Sequence, residues 1–270
     1  MHQVWTQYMA DRIKHVEKGV PWWVNNKSTL NQFCSDKGIP APVVFKQWDA
    51  PGKADFSGIP ERFVLKPNLM SSSAGVMILH NIGNDQYYDS MSNQALSKQE
   101  IVEKQSELFE KSKYKKSYRL MAEELVMDAR DPNRIPIDYK VYCFYDKPVL
   151  VQQIDRNIKR TGTAFFDGQF QQLDLDGKIE SNWKHYQLIE PIRPSTADEM
   201  LRVAAELTKA IKTPFMRVDL YNSTRGALVG ELTPAPGGPY HGTLYKFTEQ
   251  YDLELGREWA GALGRIRDDA

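Results

Sequence analysis

Two acidic residues, Asp219 and Glu231, flank the turn-forming segment NSTRG. Asn, Ser and Gly tolerate tight or left-handed backbone, and the flanking residues alternate between apolar and polar, which predicts an antiparallel hairpin. A turn centred on Arg225 would place Asp219 opposite Glu231 and Arg217 opposite Thr233. Two carboxylates that face each other destabilise a strand pair unless a cation lies between them. The hairpin therefore suggests a cation site.

Magnesium fits this arrangement, because proteins commonly hold it with one or two carboxylates while phosphate and water oxygens complete its octahedron. Asp219 and Glu231 would supply the carboxylates, and Thr233 a further oxygen ligand. The alternative is a solvated outer face whose shifted register keeps the two acids apart. From the hairpin alone, both interpretations are equally favoured.

A second candidate site follows the predicted strand RFVLKP. The loop after this strand carries three serines and a glycine, namely Ser71, Ser72, Ser73 and Gly75. Such a loop can offer successive N–H groups and hydroxyls to an anion, and Lys66 would direct a positive charge toward phosphate. The alternative, a flexible serine loop with a solvated lysine, is favoured when this segment is taken alone. Taken together with the hairpin, the loop favours ATP with magnesium.

Helices and antiparallel strands are predicted to alternate along the chain, which indicates an α+β fold. A first helix is expected from the N-terminus to about Lys18, and a second at 27–37, ending at Gly38. A third is expected from Ser97 to about Lys111, starting with a capping box that Ser97 forms with Glu100. The segment PSTADEMLRVAAELTKAI predicts a fourth, capped helix whose inward side chains are Met200, Leu201, Val203, Ala204, Leu207 and Ile211. The strands are expected at 62–67, 75–79 and 118–126, and in a hairpin over 138–156 that turns at about Asp146–Lys147.

Composition limits the class of protein. The 270 residues include 35 basic and 35 acidic side chains, so the formal net charge is zero and no nucleic-acid partner is expected. No apolar run approaches the roughly 20 residues that span a bilayer, and the N-terminus lacks the apolar core of a signal peptide. Cys34 and Cys143 lack metal-ligand spacing and are expected to be reduced core residues of a cytoplasmic protein. The five histidines are scattered and suggest neither a zinc site nor a charge relay.

The order of several segments resembles the ATP-grasp enzymes, and within them the group typified by the teichuronopeptide-biosynthesis proteins. The similarity lies in VNNKSTLNQFCSDKGIPAP, FVLKPNLMSSSAGVMIL, AEELV, DYKVYCFYDKPVLVQQIDR and FMRVDLY followed by GELTPAPGG. This resemblance implies two α+β lobes that hold ATP between antiparallel sheets, preceded by a short helical segment. The expected divisions are residues 1–58 for that segment, 59–126 for the small nucleotide-binding lobe and 127–270 for the large lobe with the metal and substrate site.

The resemblance also implies roles for individual residues. Lys27 and Lys66 match phosphate-contacting lysines, although Lys27 by itself would be an ordinary exposed lysine near a helix start. The serine loop matches the loop that covers the phosphates. The hinge that holds adenine corresponds to Glu123, Glu124, Leu125 and Val126. Two acids fit poorly in a buried strand, and the alternative is a sheet edge with both acids in water. Asp128 and Asp131 both remain candidates for the ribose-binding acid.

In the large lobe, Asp219 and Glu231 match the magnesium ligands, and Thr233 stands where many relatives have Asn. Arg217 matches an arginine that steadies the transferred phosphoryl group. Lys140 and Arg156 match basic positions that face phosphate or substrate, with a solvated hairpin face as the alternative. Acceptor contacts are expected from the loop TPAPGGPYHGTLYKF, at Gly237, Gly238, Tyr240 and His241, unless it is an ordinary Pro/Gly loop.

The activity that the resemblance implies is an ATP- and magnesium-dependent ligation of a carboxylate to an amine through an acyl phosphate. Only about 60 residues precede FVLKP, so an open site for a large acceptor is expected, such as a uronic-acid glycan or a carrier-linked intermediate in surface-polymer synthesis. Three alternatives remain. They are a kinase of the same fold that phosphorylates a hydroxyl, a non-catalytic nucleotide-binding module, and an interaction protein that uses Trp22, Trp23 and Trp48 as exposed aromatics.

Overall fold

A computed structural model of the protein describes residues 3–70, 74–237 and 242–269. Within these ranges the chain forms two compact units. The smaller unit consists of residues 25–126, and the larger unit combines the described residues up to 24 with those from 127 onward. The N-terminal residues up to 58 are therefore shared between the two units.

The helices are α1 (Trp5–Ile13), α2 (Lys27–Lys37), α3 (Lys98–Lys111), α4 (Ala197–Ile211) and α5 (Glu249–Asp268). The strands are β1 (Val44–Trp48), β2 (Arg62–Pro67), β3 (Met77–Gly83), β4 (Gln86–Asp89), β5 (Gln94–Ser97), β6 (Leu120–Glu124), β7 (Asp138–Phe144), β8 (Lys147–Asp155), β9 (Gly162–Asp167), β10 (Ile179–Glu180), β11 (Gln187–Leu188), β12 (Met216–Ser223), β13 (Gly226–Thr233) and β14 (Lys246–Phe247). The mixture of helices and antiparallel sheets is the predicted α+β class.

The smaller unit is an antiparallel sheet with strand order β1-β6-β2-β3-β4-β5. The predicted β2–β3 hairpin is confirmed, with Phe63 opposite Leu79. Helix α2 ends at Gly38, whose φ of 65° lies in the left-handed region. Helix α3 begins at the predicted capping box, in which Ser97 and Glu100 bond each other's backbone N–H groups. Local sequence signals thus define both helix boundaries.

The larger unit is built on a sheet with strand order β11-β9-β8-β7-β12-β13, which is antiparallel except for the pair β11–β9. Helix α4 packs against β7, β8, β12 and β13, while α1 packs against α5. The core includes an aromatic cluster in which the Phe215 and Trp259 rings stack with their centroids 5.4 Å apart. None of the helices in the described ranges combines the length and the apolar character that crossing a bilayer requires.

Strands β12 and β13 form the predicted hairpin, and their register confirms the expected pairing of Asp219 with Glu231 and of Arg217 with Thr233. The predicted turn centre was wrong, since Ser223 pairs with Gly226 and the turn itself is residues 224–225. Asp219 pairs with Glu231, but the next residue, Leu220, pairs with Val229, so Gly230 is an extra residue on β13 and forms a β-bulge. This extra residue offsets the shift of the turn and keeps Asp219 opposite Glu231.

Packing explains why the bulged residue is a glycine. A Cβ atom on Gly230 would lie 2.5 Å from the Tyr221 ring carbon Cε2, well inside van der Waals contact. The bulge therefore needs a residue without a side chain at this position.

Four smaller expectations also needed correction. Helix α1 stops at Ile13 rather than near Lys18, because His15 takes a left-handed φ of 58° and Val16 bonds back to the Asp11 carbonyl. The β7–β8 turn consists of residues 145–146, one residue earlier than predicted.

Helix α4 lacks the predicted side-chain cap, since Thr196 has φ −98° and ψ 22° rather than extended backbone and accepts no bond from the first turn. Its hydroxyl donates to Asn222 Oδ1 at 2.8 Å. Of its predicted inward side chains, Leu201 and Ile211 are only half-buried.

Candidate active site

Two cross-strand rows of polar side chains lie on one face of the larger sheet, across β7, β12 and β13. In the first row Lys140 pairs with Asp219, which pairs with Glu231. In the second row Arg217 lies between its strand partners Tyr142 and Thr233. Because side chains alternate along a strand, positions two apart on β12 and β13 share this face. The sheet therefore brings together the acids, cations and threonine that the sequence suggested.

Asp219 lies at the centre of this cluster and is 2% exposed. Its Oδ1 accepts a bond from Arg217 Nε at 2.6 Å, and its Oδ2 accepts from Arg217 Nη2 at 2.8 Å. Lys140 Nζ also donates to Oδ2 in a short ion pair. Arg217 Nη2 further donates to Thr233 Oγ1 at 2.9 Å. One carboxylate thus fixes two cationic side chains.

The charges in this cluster are mutually stabilised despite burial. Burial disfavours the ionised Asp219, but Arg217 and Lys140 outweigh it, so the pKa of Asp219 is lowered. Burial likewise disfavours the charged Lys140, yet Asp138 and Asp219 outweigh it and the pKa of Lys140 is raised. The pKa of Arg217 is raised for the same reason, with Asp219 as the principal partner. All three groups therefore carry their charges at neutral pH.

Asp138 belongs to the same cluster, and the sequence analysis missed it. Its Oδ2 lies 2.7 Å from Lys140 Nζ and 3.3 Å from Arg156 Nη2. Its Oδ1 is buried and has no hydrogen-bond partner among the described residues. The alternation in the segment DYK could have identified it, because residues 138 and 140 of one strand point to the same face.

The residues of the cluster fit a magnesium ion in chemical type. Asp219 and Glu231 are paired carboxylates, the oxygen donors that magnesium prefers, and the half-buried Glu231 side chain makes no hydrogen bond or ion pair among the described residues. No group of three or more His, Cys, Asp or Glu side chains arranged to hold a metal occurs among the described residues. Two protein carboxylates with phosphate and water oxygens suit magnesium better than a complete protein cage does.

The smaller unit places the other predicted phosphate residues on β2 and at the start of α2. Lys66 Nζ forms a short ion pair with Glu123, and the two side chains are 15% and 9% exposed. This pairing explains how an acid is tolerated in the buried strand β6. Lys27 Nζ donates to the Met70 carbonyl at 2.7 Å, just before the serine loop.

The serine loop itself is only partly described. Ser71, Ser72 and Ser73 lie outside the described residues. Gly75, which closes the loop, has a φ of 73°, and a Cβ atom there would come within 2.8 Å of Leu108 and 2.9 Å of Pro67. A glycine is therefore required both by the backbone and by the packing.

The predicted hinge coincides with the point where the chain leaves the smaller unit, after Val126. Glu124 accepts a bond from the Val43 N–H at 3.0 Å, and Leu125 and Val126 are half-buried. Of the two ribose candidates, Asp128 is 1% exposed and accepts backbone bonds from residues 130, 131 and 137. Asp131 is half-buried and accepts a bond from the Asn133 N–H at 3.0 Å.

The predicted substrate residues are distributed unevenly. Arg156 is 48% exposed and reaches the cluster through Asp138. Gly237 is described and has a φ of 75°. Gly238, Tyr240 and His241 lie outside the described residues.

Sequence comparison identifies the family. The model of the TupA-like ATP-grasp family matches residues 9–260. The chain belongs to this family. No curated protein sequence matches this TupA-like chain.

Comparison with solved structures shows that this TupA-like chain has the ATP-grasp fold. The D-alanine–D-alanine ligase of Bacillus anthracis, complexed with ATP, aligns with a TM-score of 0.53 at 15% identity, over 92% of this chain and 68% of the ligase. The ATP-grasp ligase PsnB, complexed with a variant of its minimal precursor, Mg and ADP, aligns with a TM-score of 0.46 at 14% identity, over 88% of this chain. The TupA-like chain spans 57% of the PsnB chain, less than two thirds of its length.

The large aromatic residues considered for an interaction surface differ in exposure. Trp22 and Trp48 are half-buried, and Trp48 packs edge-on against Phe56 with ring centroids 5.8 Å apart. Trp23 is 39% exposed. Trp48 is therefore a packing residue of the smaller unit of this TupA-like protein.

Proposed function

We propose that this protein is an ATP- and magnesium-dependent ligase that joins a carboxylate to an amine. The observation that carries the proposal is the cluster in which buried Asp219 forms ion pairs with Lys140 and Arg217. On the neighbouring strand, Glu231 lies opposite Asp219 and Thr233 lies opposite Arg217. Buried cations beside two carboxylates can bind both a polyphosphate and its metal ion. Membership of the TupA-like ATP-grasp family supports ATP as the phosphate donor.

The proposed reaction has two steps. A carboxylate oxygen of the substrate attacks the γ-phosphorus of ATP, the bond to the bridging oxygen breaks, and ADP leaves. The amine then attacks the acyl carbon and gives up a proton to the departing phosphate, so that an amide forms and phosphate leaves with the former carboxylate oxygen. Phosphoryl transfer of this kind needs positioning and charge neutralisation rather than a protein nucleophile.

Each residue of the cluster has a place in this proposal. Arg217 presents a planar set of N–H donors to the phosphoryl oxygens, and Lys140 adds a compact positive charge. Asp219 keeps both cations in position through its two oxygens. Glu231 and Asp219, with Thr233, would hold magnesium, which when bound neutralises charge on the phosphates. Lys27, Lys66 and the serine loop remain predictions for further phosphate contacts.

The biological acceptor belongs to the proposal as well. A uronic-acid glycan or a carrier-linked intermediate of surface-polymer synthesis is the acceptor class that the resemblance to teichuronopeptide-biosynthesis proteins favours. A cytoplasmic location is proposed with it, because ATP is the donor.

The metal assignment can be tested without knowing the acceptor, by measuring ATP affinity with magnesium and with EDTA. Glu231→Gln removes the negative charge of one proposed ligand. Because the Glu231 side chain makes no hydrogen bond or ion pair among the described residues, the variant should fold like the parent. We expect the magnesium-dependent gain in ATP affinity to fall by at least about tenfold.

The matched control for this test is Glu190→Gln, which removes the same charge from an exposed position of the same unit. It should bind ATP like the parent. An unchanged magnesium effect in Glu231→Gln would remove this residue from the metal site.

One observation favours a second candidate function, an ATP-dependent kinase that phosphorylates a hydroxyl. Such a kinase needs a base near the hydroxyl, and Asp138 Oδ1, which has no hydrogen-bond partner within the described part of the chain, lies in the cluster. The product distinguishes the two functions, because the ligase releases inorganic phosphate with ADP whereas the kinase transfers the phosphate to its substrate. Phosphate released one-for-one with ADP would favour the ligase.

A further inference from the structure

A basic segment of the smaller unit takes no part in the candidate active site. The sequence KSKYKKSYR, residues 111–119, contains four lysines, one arginine and no acid. It runs from the last residue of α3 to the residue before β6, and we call it the basic turn. Because the whole chain has equal numbers of basic and acidic residues, the basic turn is a local concentration of positive charge on a neutral protein.

Buried contacts hold the inner side of the basic turn in place. Tyr118 is 1% exposed, and its ring packs edge-on against Phe109 with ring centroids 4.8 Å apart. Asn68 is fully buried and exchanges two hydrogen bonds with the Arg119 backbone, at 2.9 and 2.8 Å. Asn68 Nδ2 also donates to the Ser117 carbonyl at 2.9 Å. The basic turn is therefore an ordered part of the smaller unit.

Most cations of the basic turn are exposed and unpaired. Lys115 forms a short ion pair with Glu110, and half-buried Arg119 donates to the Tyr118 carbonyl at 2.6 Å. The other three are exposed, and their side chains make no hydrogen bond or ion pair among the described residues: Lys111, Lys113 and Lys116.

The acids near the basic turn do not cancel its charge. Glu110 is paired with Lys115, and Glu107 lies one helical turn before Lys111. Asp49 lies close enough to Arg119 to be influenced by its charge, but its ion pair is with Lys53. Six cations, the five of the turn and Lys53, thus face three acids, which leaves an excess of three positive charges.

An aromatic side chain stands among these lysines. Tyr114 is 63% exposed, more than any other large apolar or aromatic side chain in the described ranges. Four residues later, Tyr118 points inward, so the turn buries one tyrosine and presents the other to solvent. Packing within the unit does not account for Tyr114, and a partner that covers its ring would.

The combination of lysines with an exposed tyrosine indicates the kind of partner. A bilayer with anionic lipids attracts clustered lysines, and tyrosine is favoured at the level of the lipid headgroups. Lysine also suits such a surface because its apolar stem can lie along the lipid while its charge stays in water. Nucleic-acid strands are instead bound in grooves that follow the backbone, often by the planar arginine side chain. The unpaired cations here are all lysines on an exposed turn, which favours the bilayer.

We propose that the basic turn docks this protein on the surface of a bilayer that contains anionic phospholipid. The three unpaired lysines face the lipid headgroups, and Tyr114 lies at headgroup level. This peripheral attachment goes beyond the proposed ligase activity and does not depend on it. Docking would give the enzyme access to membrane-bound acceptors.

Co-sedimentation of the full chain with lipid vesicles tests the proposal, without nucleotide or acceptor. The vesicles contain phosphatidylcholine alone or equimolar phosphatidylcholine and phosphatidylglycerol. We expect binding only to the vesicles with phosphatidylglycerol, and weaker binding as the salt concentration rises. Each basic residue near an anionic surface contributes about fivefold in affinity, so the double variant Lys113→Gln, Lys116→Gln should bind about 30-fold more weakly.

Two further variants separate charge from the aromatic contact. Tyr114→Ser should lower the affinity by a factor that is the same at low and high salt, because it removes no charge. The matched control is the double variant Lys37→Gln, Lys184→Gln, which removes the same charge from two exposed lysines elsewhere and should bind like the parent. Urea unfolding would verify that all variants remain folded.

Several results would overturn the proposal. They are equal binding to both kinds of vesicle, binding to neither, and an unchanged affinity after Lys113→Gln, Lys116→Gln. Displacement of the vesicles by single-stranded DNA or polygalacturonate at the same concentration of negative charge would also overturn it, in favour of a soluble polyanion. Ligation without vesicle binding would reject the docking surface alone, and vesicle binding without ligation would reject the proposed function alone.

Discussion

Replacing Arg12 with methionine should strongly destabilise the larger unit. Arg12 is fully buried, and its guanidinium makes two bonds of 2.7 Å to Glu17. It also donates to the carbonyls of Phe215 at 3.0 Å and Pro234 at 2.8 Å, and lies 4.5 Å from the centre of the Trp259 ring. These carbonyls adjoin the ends of β12 and β13 that carry the candidate active site.

The size of the effect follows from what remains after the substitution. The Phe215 carbonyl keeps a bond from the Thr213 hydroxyl at 3.2 Å, but Glu17 and the Pro234 carbonyl lose their partner. Removing one partner of a buried ion pair costs about 3–5 kcal/mol. Arg12 is buried but the Glu17 side chain is 23% exposed, so we expect the lower end of this range, about 3 kcal/mol. With a urea dependence of about 2 kcal/mol per molar, the midpoint should fall by roughly 1.5 M.

Urea unfolding followed by tryptophan fluorescence would measure this shift. Arg202→Met is the matched control, because Arg202 is 58% exposed and, among the residues that the structure describes, forms an ion pair only with Glu206 one helical turn away. Its free energy of unfolding should change by less than about 0.5 kcal/mol. Equal midpoints for the two variants would refute the role given to Arg12.

Two further predictions concern packing and thiol chemistry. Gly230→Ala should lower the free energy of unfolding by about 1–3 kcal/mol, because its Cβ would collide with Tyr221. Gly264→Ala is the control: its Cβ would enter open space on a helix, where alanine is favoured over glycine, so the free energy of unfolding should rise by up to about 1 kcal/mol. Thermal unfolding would measure both, and equal effects would argue against the bulge. Burial raises the pKa of Cys34 to about 11 and that of Cys143 to about 12. Neither thiol should therefore react with Ellman's reagent at pH 8 before the protein is denatured. A fast-reacting thiol in the native protein would contradict this prediction.

The fold could largely be predicted from local signals in the sequence. The capping box at Ser97, the left-handed Gly38 and the alternating hairpin flanks each specify a structure over a few residues. The pairing of Asp219 with Glu231 was predicted with an incorrect turn centre, because the bulge at Gly230 compensates for the shorter turn. Such a bulge depends on packing against a neighbouring strand, which local sequence does not report.

The candidate site was harder to predict, because its members meet through tertiary contacts. Asp138 lies on the same strand face as Lys140 and could have been predicted from the alternation of side chains along β7. The hydrogen bonds that link Tyr142, Tyr245 and Gln152 could not be predicted in this way, since they join β7 and β8 to a residue about a hundred positions later. Residues without a motif become visible only when the fold brings them together.

The central claim is that this protein activates a carboxylate with ATP. The most direct measurement is ADP release with Mg-ATP and a panel of hydroxy acids, uronic acids, nucleotide-linked uronates and amino acids, with and without hydroxylamine. An acyl phosphate reacts with hydroxylamine, so the account predicts a hydroxamate formed in step with ADP, and its mass would identify the carboxylate. Substrate-dependent ADP release with no hydroxamate and a phosphorylated product would contradict the ligase and favour the kinase.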